Sequence, residues 1–476
     1  MNPIRRIALD EWRLLWRDRV AVMGLVLITL LSVTAALTAW HHREAADADR
    51  ARHQSRANQE FDAQPDRHPH RMVHYGHFVF RALNPLAAFD PGIDAYTGQA
   101  LFLEGHRQNS ANFGDVRQSS LLVRFGHLTP AFVLQVLAPL LLVFLGHGVV
   151  ARERESGTLR TLLAQGVRPR HIVLGKLLAL CGLASLVMVP TTLALGGLVI
   201  GANAPAWPVL ALWAGHAAWL LLWAMAVTAV SAWFGRRRDA LLCLLAVWTV
   251  AVIVLPRIAS ESAVSAHALP TRFETDIAVA RDLAALGDSH NPDDPYFNGF
   301  RQRVLAQYGV ARVEDLPVNY KGLLGIEGER MTSALFDRYA EVSFDQQARQ
   351  SRWMDTFGLL SPALAIRRLS MGAAGTDLEG YRRFLEQGER HRYRLVQALN
   401  TLQAERLTYA DDRNPAKENR LDPMAWQGEA AFHHEPLPPA DTLRRAMPAA
   451  VALVLWLAAA AALLLAGSRH LAGSHR

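Results

Sequence analysis

The chain has 476 residues, 50 of them Lys or Arg and 43 Asp or Glu, for a formal net charge of +7. Six stretches without Asp, Glu, Lys or Arg are long enough to cross a bilayer, and from Leu177 to Gly235 no charged residue occurs for 59 positions. A soluble fold has no use for such a run, because its surface must be wetted somewhere. The two cysteines, Cys181 and Cys243, lie inside these stretches, which excludes a disulfide framework and a CxxC metal site.

In chain order, residues 1–19 have the pattern of an interfacial helix. Asn2 suits a cap and Pro3 the first helical position; Ile4, Ile7, Ala8, Trp12 and Leu15 share one face, with Arg5, Arg6, Asp10, Arg13 and Arg17 largely on the other. This amphipathic elbow is expected to lie on the inner leaflet. Val20–Trp40 is the first span, too long for the apolar region of a secretory signal. Residues 41–128 form an outer segment: Arg43–Gln64, charged and free of Gly and Pro, is expected to prolong the first span as a helix, and His68–Phe113 reads as compact with little regular structure. The second span is 129–150. The inner loop 151–176 follows, with Ser156 expected to cap a short helix over Gly157–Gln165, Gly166 to stop it, and Pro169 to start a helix that runs through Lys176. Further spans are placed at 177–201, 207–234 and 240–256, with Pro139 and Pro190 expected to kink theirs. The large outer segment 257–445 has loop punctuation at His290–Tyr296 and Asp315–Asn319, and helices over Met331–Asp355 and Leu378–Leu407, the latter capped by Asp377. A last span, 446–467, and a tail, 468–476, complete the chain. The fold class is an all-α polytopic membrane protein: six transmembrane helices and a mainly helical extracytoplasmic domain built from both outer segments.

Orientation follows from charge. With the N-terminus inside, the inner segments hold 16 basic and 6 acidic residues and the outer ones 34 basic and 37 acidic. The excess positive charge thus lies on the cytoplasmic side, where it faces anionic lipid, and both termini are placed there. The same distribution argues against nucleic acid as a partner.

The inner loop reads ARERESGTLRTLLAQGVRPRHIVLGK. Its E-x-E-S-G-T-L pattern, followed by Gly/Pro punctuation and I-x-x-G-K between the second and third of six spans, resembles the permeases of ABC-2 type transporters. The matching residues are Glu153, Glu155, Gly157, Thr158, Leu159, Ile172, Gly175 and Lys176. H-Y-G at His74–Gly76, D-P-G at Asp90–Gly92, S-P-A-L-A at Ser361–Ala365 and A-G-T-D at Ala374–Asp377 look like a subgroup with a large periplasmic domain of unknown function between helices five and six. The resemblance implies an inner-membrane permease that pairs with itself or a second permease and couples ATP hydrolysis on a separate ABC ATPase subunit to movement of a substrate, outward by expectation. It implies that the loop is the coupling helix, with Glu153 and Glu155 as charged contacts to the ATPase, Leu159 as an apolar knob, and Gly157 and Thr158 between them.

The chain is not expected to be an enzyme or to carry a cofactor. It has no G-x-x-x-x-G-K-[ST] phosphate loop and no nucleophile elbow, and the uncharged spans disfavour an ion-coupled carrier. His147 and His216 inside spans are read as neutral packed side chains. His68, His70, His74 and His77, with His41 and His42 upstream, have a spacing compatible with zinc or copper. Arg and Pro interrupt them and no Cys or Met cluster accompanies them, so no metal site is assigned. The rival reading is a membrane anchor or receptor that transports nothing and whose outer domain binds an envelope partner; it has no use for a docking helix on the inner loop.

Overall fold

The computed structural model describes residues 2–111, 128–289, 291–414 and 419–473. The sequence expectations at Phe113, His290 and the last three residues fall outside these. The structure is helical apart from one short hairpin among the described residues, and six of its helices are long and apolar enough to cross a membrane. The chain is a multi-pass membrane protein.

Helix α1 (Pro3–Arg17) starts at Asn2, whose side chain accepts from the Ile4 amide, and ends where Asp18 caps α2 (Arg19–Asp62). At 1.5 Å per residue, 44 residues extend roughly 66 Å, about twice the hydrocarbon thickness. The first half of α2 is therefore apolar. The second half, steadied by pairs such as Arg43–Asp47 and Arg56–Glu60, reaches the domain, where Phe61 is buried.

The second spanning helix, α4, runs from Pro130–Phe132 through a π-helical stretch, Val133–Leu137, into Ala138–Gly146. Span five, α9, repeats the device: Arg237–Thr249, a π stretch Val250–Val254, then Leu255–Ala266. Each π stretch ends two residues before a proline, Pro139 and Pro256. Proline has no amide hydrogen to give back along the helix, and a π turn widens the ladder there. The carbonyls this leaves must be satisfied inside the bundle, since hydrocarbon offers no donors. The indoles of Trp219 and Trp248 donate to Leu134 and Val136 at 3.2 and 3.3 Å, and the Ser361 hydroxyl donates to Ala251 at 2.7 Å.

Spans three, four and six are α7 (Pro169–Ala202), α8 (Ala206–Trp233) and α16 (Pro439–Gly473). Pro190 lies inside α7, and α7 begins at Pro169 as the sequence predicts. The bundle core runs through Leu142, Ile172, Leu180, Trp219, Val227 and Leu464. Both terminal helices reach one end of this bundle: α1 packs on α7, with Ile7 against Gly175 and Trp12 against Gly182, while His470 near the end of α16 stacks on Trp233 at 4.9 Å. We call this the loop end.

At the opposite end lies a helical domain: α10 (Arg272–Leu286), α11 (Pro295–Tyr308), α12 (Tyr320–Thr356), α14 (Leu378–Arg406) and the short α15 (Tyr409–Arg413). Asp377 caps α14 as expected. The segment before span two contributes α3 (Pro69–Tyr75) and an antiparallel pair, β1 (His77–Phe80) with β2 (Ala100–Leu103), where little regular structure was expected. Strands of four residues are too short to register as alternation. Val79, Leu101 and Leu103 bury against Phe384 of α14, and Met72 and Val73 against Leu395 and Leu399, so both segments build one domain.

Residues 357–374 depart from the sequence division at 257–445. Helix α13 (Pro362–Ala374) packs on α8 and α16, with Ile366, Leu369 and Ala373 in the bundle core and Leu369 filling the space over Gly215. This segment belongs to the bundle.

Candidate functional site

The loop between spans two and three consists of two short helices around one glycine. Helix α5 (Ala151–Glu155) ends at Ser156, whose amide returns to Arg152 and Arg154. Gly157 then takes φ +78°, a left-handed conformation costly for any residue with a Cβ, and α6 (Thr158–Ala164) begins. Ser156 therefore does not cap α6; its hydroxyl donates back to the Arg152 carbonyl, and the glycine takes the N-cap position. Gly166 stops α6 as predicted, at φ +82°, with its amide on Leu163 and that of Val167 on Leu162, a Schellman closure.

Ion pairs bind this loop to the bundle. Lys176 of α7 reaches Glu11 at 2.6 Å and Glu153 at 2.7 Å, and Arg152 donates to both Glu11 oxygens at 2.9 and 3.1 Å. Thr158 donates to Glu153 as well, linking α6 to the same cluster. Glu155 pairs with Arg237 at the start of α9 at 2.7 Å. The Ser231 hydroxyl of α8 accepts from the amides of Val150 and Ala151, both at 3.0 Å. Helices α1, α5, α6, α7, α8 and α9 are thus joined through a few polar contacts.

The structure places each residue singled out from sequence. Glu153 and Glu155 are engaged within the chain by Lys176 and Arg237. Leu159 is 4% exposed and packs into the bundle core, so it is not a knob presented outward. Leu162, Leu163 and Val167 pack on the same side, and the outward face of α6 is Arg160, Thr161, Ala164 and Gln165. Gly157 and Thr158 form the joint between the two helices. Glu11 was not singled out from sequence, although a signal was present. It follows Ile7 by one turn and precedes Leu15 by another, and an acid on the apolar side of an amphipathic helix requires a cationic partner.

Within the bundle, His216 is fully buried, hydrogen-bonded to the Leu212 carbonyl at 2.8 Å and to Gln135 at 3.3 Å, with Phe89 edge-on to its ring. His147 bonds the Phe144 carbonyl. His216 is packed, as read from sequence, while His147 is half-buried and bonds within its own helix. In the domain, His68 caps α3 and pairs with Asp412 at 3.0 Å, holding that carboxyl far below its ordinary range: burial opposes this, and hydrogen bonds from His68, Asn319 and Gln403 outweigh it. His77 is buried at the start of β1, near Gln54. His70 and His74 face each other at 3.2 Å, and His106 joins them from the turn after β2.

The domain has a counterpart among known families. A model described as a domain of unknown function, DUF3526, matches residues 272–435, from the first residue of α10 to just before α16. No curated protein matches the chain. Among the described residues the molecule thus has six helices long and apolar enough to cross a membrane, with a region similar to DUF3526 between the fifth and the sixth.

Proposed function

We propose that this protein is the permease subunit of an ABC-2 type exporter, driven by ATP hydrolysis on a separate ABC ATPase subunit and working as a dimer of permeases in the bacterial inner membrane. Residues 151–168 and both termini are cytoplasmic, and the domain faces the periplasm. The observation that supports the reading is the construction of the loop: a short helix with a polar outward face, hinged on Gly157 and tied by charge to α1 and α7. A closing ATPase pushes on Arg160, Thr161 and Gln165. Leu159 carries that push into the bundle core, and the Thr158–Glu153–Lys176 chain carries it to span three. Glu153 and Glu155 transmit force here through Lys176 and Arg237.

The test is to look for a Walker-motif ATPase encoded by a neighbouring gene and co-express it with this chain, followed by co-purification and an ATPase assay. Gly157→Pro cannot adopt positive φ and is expected to remove permease-dependent ATPase stimulation while membrane insertion persists. Gly157→Asn, which tolerates the left-handed region, should keep most of it. Arg160→Glu should weaken co-purification. The reading fails if no such ATPase binds, or if a cysteine placed at Gln165 is labelled from the periplasmic side.

A further inference from the structure

Three histidines of the domain, His70, His74 and His106, are arranged in a way the transport reading does not use. His70 and His74 lie one turn apart on α3, so their rings project from one face, and their Nε2 atoms are 3.2 Å apart. His106 comes from a different segment, the turn after β2, with ring centroids 5.9 Å from His70 and 5.4 Å from His74. One ring nitrogen from each of the three lies within 4.8 Å of the others. His74 is exposed and the other two are half-buried, so solvent reaches the cluster.

His106 is held firmly. Its backbone takes φ +59°, and its amide donates to Glu329 at 2.9 Å while its ring Nδ1 lies 3.3 Å from the same carboxylate oxygen. Glu329 is fully buried; Ser333 donates to it at 2.8 Å and Arg392 pairs with it at 2.6 Å. Arg392 also donates to the Glu104 carbonyl, two residues before His106, at 3.1 Å. The turn is therefore pinned from both sides. A buried carboxylate accepting from Nδ1–H leaves Nε2 as the lone-pair nitrogen, the arrangement that supports metal-ligating imidazoles.

We propose that His70, His74 and His106 form a binding site for a divalent cation of the zinc–copper class, with Glu329 as the carboxylate that orients His106 and a further position open to water or an outside ligand. Three neutral imidazoles without thiolate or carboxylate donors suit Zn²⁺ or Cu²⁺. They do not suit Mg²⁺ or Ca²⁺, which require oxygen, and the absence of sulfur argues against Cu⁺. The His70 and His74 nitrogens already stand at the separation a shared ion requires, and the third ligand nitrogen, within 4.8 Å, must close in on them for loading. The site is independent of the energy source proposed for the protein.

The test uses the full-length protein in detergent, free of any oligohistidine tag and stripped with EDTA, titrated separately with Zn²⁺, Cu²⁺ and Mg²⁺. Co²⁺ serves as a spectroscopic probe of nitrogen coordination. The expected result is saturable uptake of one ion per chain, Cu²⁺ tighter than Zn²⁺ and Mg²⁺ not bound. His74→Ala, an exposed change that leaves the core intact, should weaken Zn²⁺ binding at least about tenfold, as should His106→Ala, and His433→Ala should leave it unchanged. Absence of saturable Zn²⁺ or Cu²⁺ binding overturns the proposal. So does binding that survives His74→Ala and His106→Ala at full strength.

Discussion

The two ends of the molecule each contain a network of buried charges joining segments far apart in sequence, but the networks are built differently. In the domain, Arg392 and Glu329 are 1% and 0% exposed, and Glu389 completes the set at 2.7 Å from Arg392. Burial alone would raise the Glu329 carboxyl, yet hydrogen bonds from His106 and the charge of Arg392 hold it at about 2. At the loop end the centre is as dry, with Lys176 at 5% and Glu11 at 2%, but the rim is wet: Glu153 is 17% and Arg152 37% exposed. The Arg392–Glu329 pair at the centre of the domain network is sealed and has one arrangement, because every alternative strands a charge in low dielectric, although its edge at Glu389 and His106 meets solvent. The loop end, with its hydrated rim, can exchange partners for water at modest cost, which is what a moving joint requires.

That contrast predicts unequal responses to mutation. The largest effect is expected for Arg392→Ala, which leaves Glu329 buried without its cation and should cost the domain about 3–5 kcal/mol. Thermal unfolding should show early loss of the domain with the spanning helices still intact.

Acid should separate the two regions next. Burial pushes His77 down to about 4, helped by the nearby charge of His391 against a hydrogen bond to Ala430. Burial likewise pushes His391 down to about 4, with Arg394 adding and the Ala430 carbonyl opposing. Both have ordinary values of 6.5, so between pH 6.5 and 4 the unfolded chain binds protons that the folded domain refuses. Their contribution is complete above about pH 6.5 and is lost as pH falls toward 4, about 3 kcal/mol apiece. The depressed carboxyl of Glu329 then loses its own contribution from about 4.5 downward. Hydrogen exchange on the whole protein, corrected for intrinsic rates, should show domain peptides opening between pH 6.5 and 4 while α7 and α8 stay protected. Equal loosening of both regions would remove the distinction between them.

How far the sequence reveals this depends on the distance over which each feature is set. The spans and the polar extension of α2 are legible because apolar length and charge are local properties of a helix in lipid. The caps at Asn2 and Asp377 and the stop at Gly166 are legible for the same reason. Pro139 marks a distortion, but its form, a π stretch capped by an indole from span four, depends on a tertiary partner. The return of residues 357–374 into the bundle is obscured because α13 carries Arg367 and Arg368 and reads as surface helix. In the histidine cluster, His70 and His74 declare themselves by spacing, whereas His106 is brought in by the hairpin and by Glu329, 223 residues away. Likewise Leu159 reads as a knob only while its burial partner is unknown; the packed bundle turns it inward.

The smallest effect, and the most specific to the loop end, is expected at Glu11. Removing this carboxylate with Glu11→Ala leaves Lys176 with Glu153 as its remaining partner, and Arg152, already at the rim, free to turn to water. The loss should be about 2 kcal/mol, below that of Arg392→Ala, since one charge-assisted contact to Lys176 is retained and the other cation is solvated. The consequence should appear as mobility: α1 packs on α7 through small contacts, Ile7 on Gly175 and Trp12 on Gly182, and without Glu11 little polar anchorage keeps it there. Spin labels on Arg13 and Arg170, both exposed, should report a broadened distance distribution in Glu11→Ala and a narrow one in the parent. Glu153→Ala should loosen α6 through Thr158 while α1 keeps its place, because Glu11 still holds Lys176. If the two substitutions broaden the same distances equally, the loop end behaves as one rigid block like the domain network, and its wet rim gives it no freedom to move.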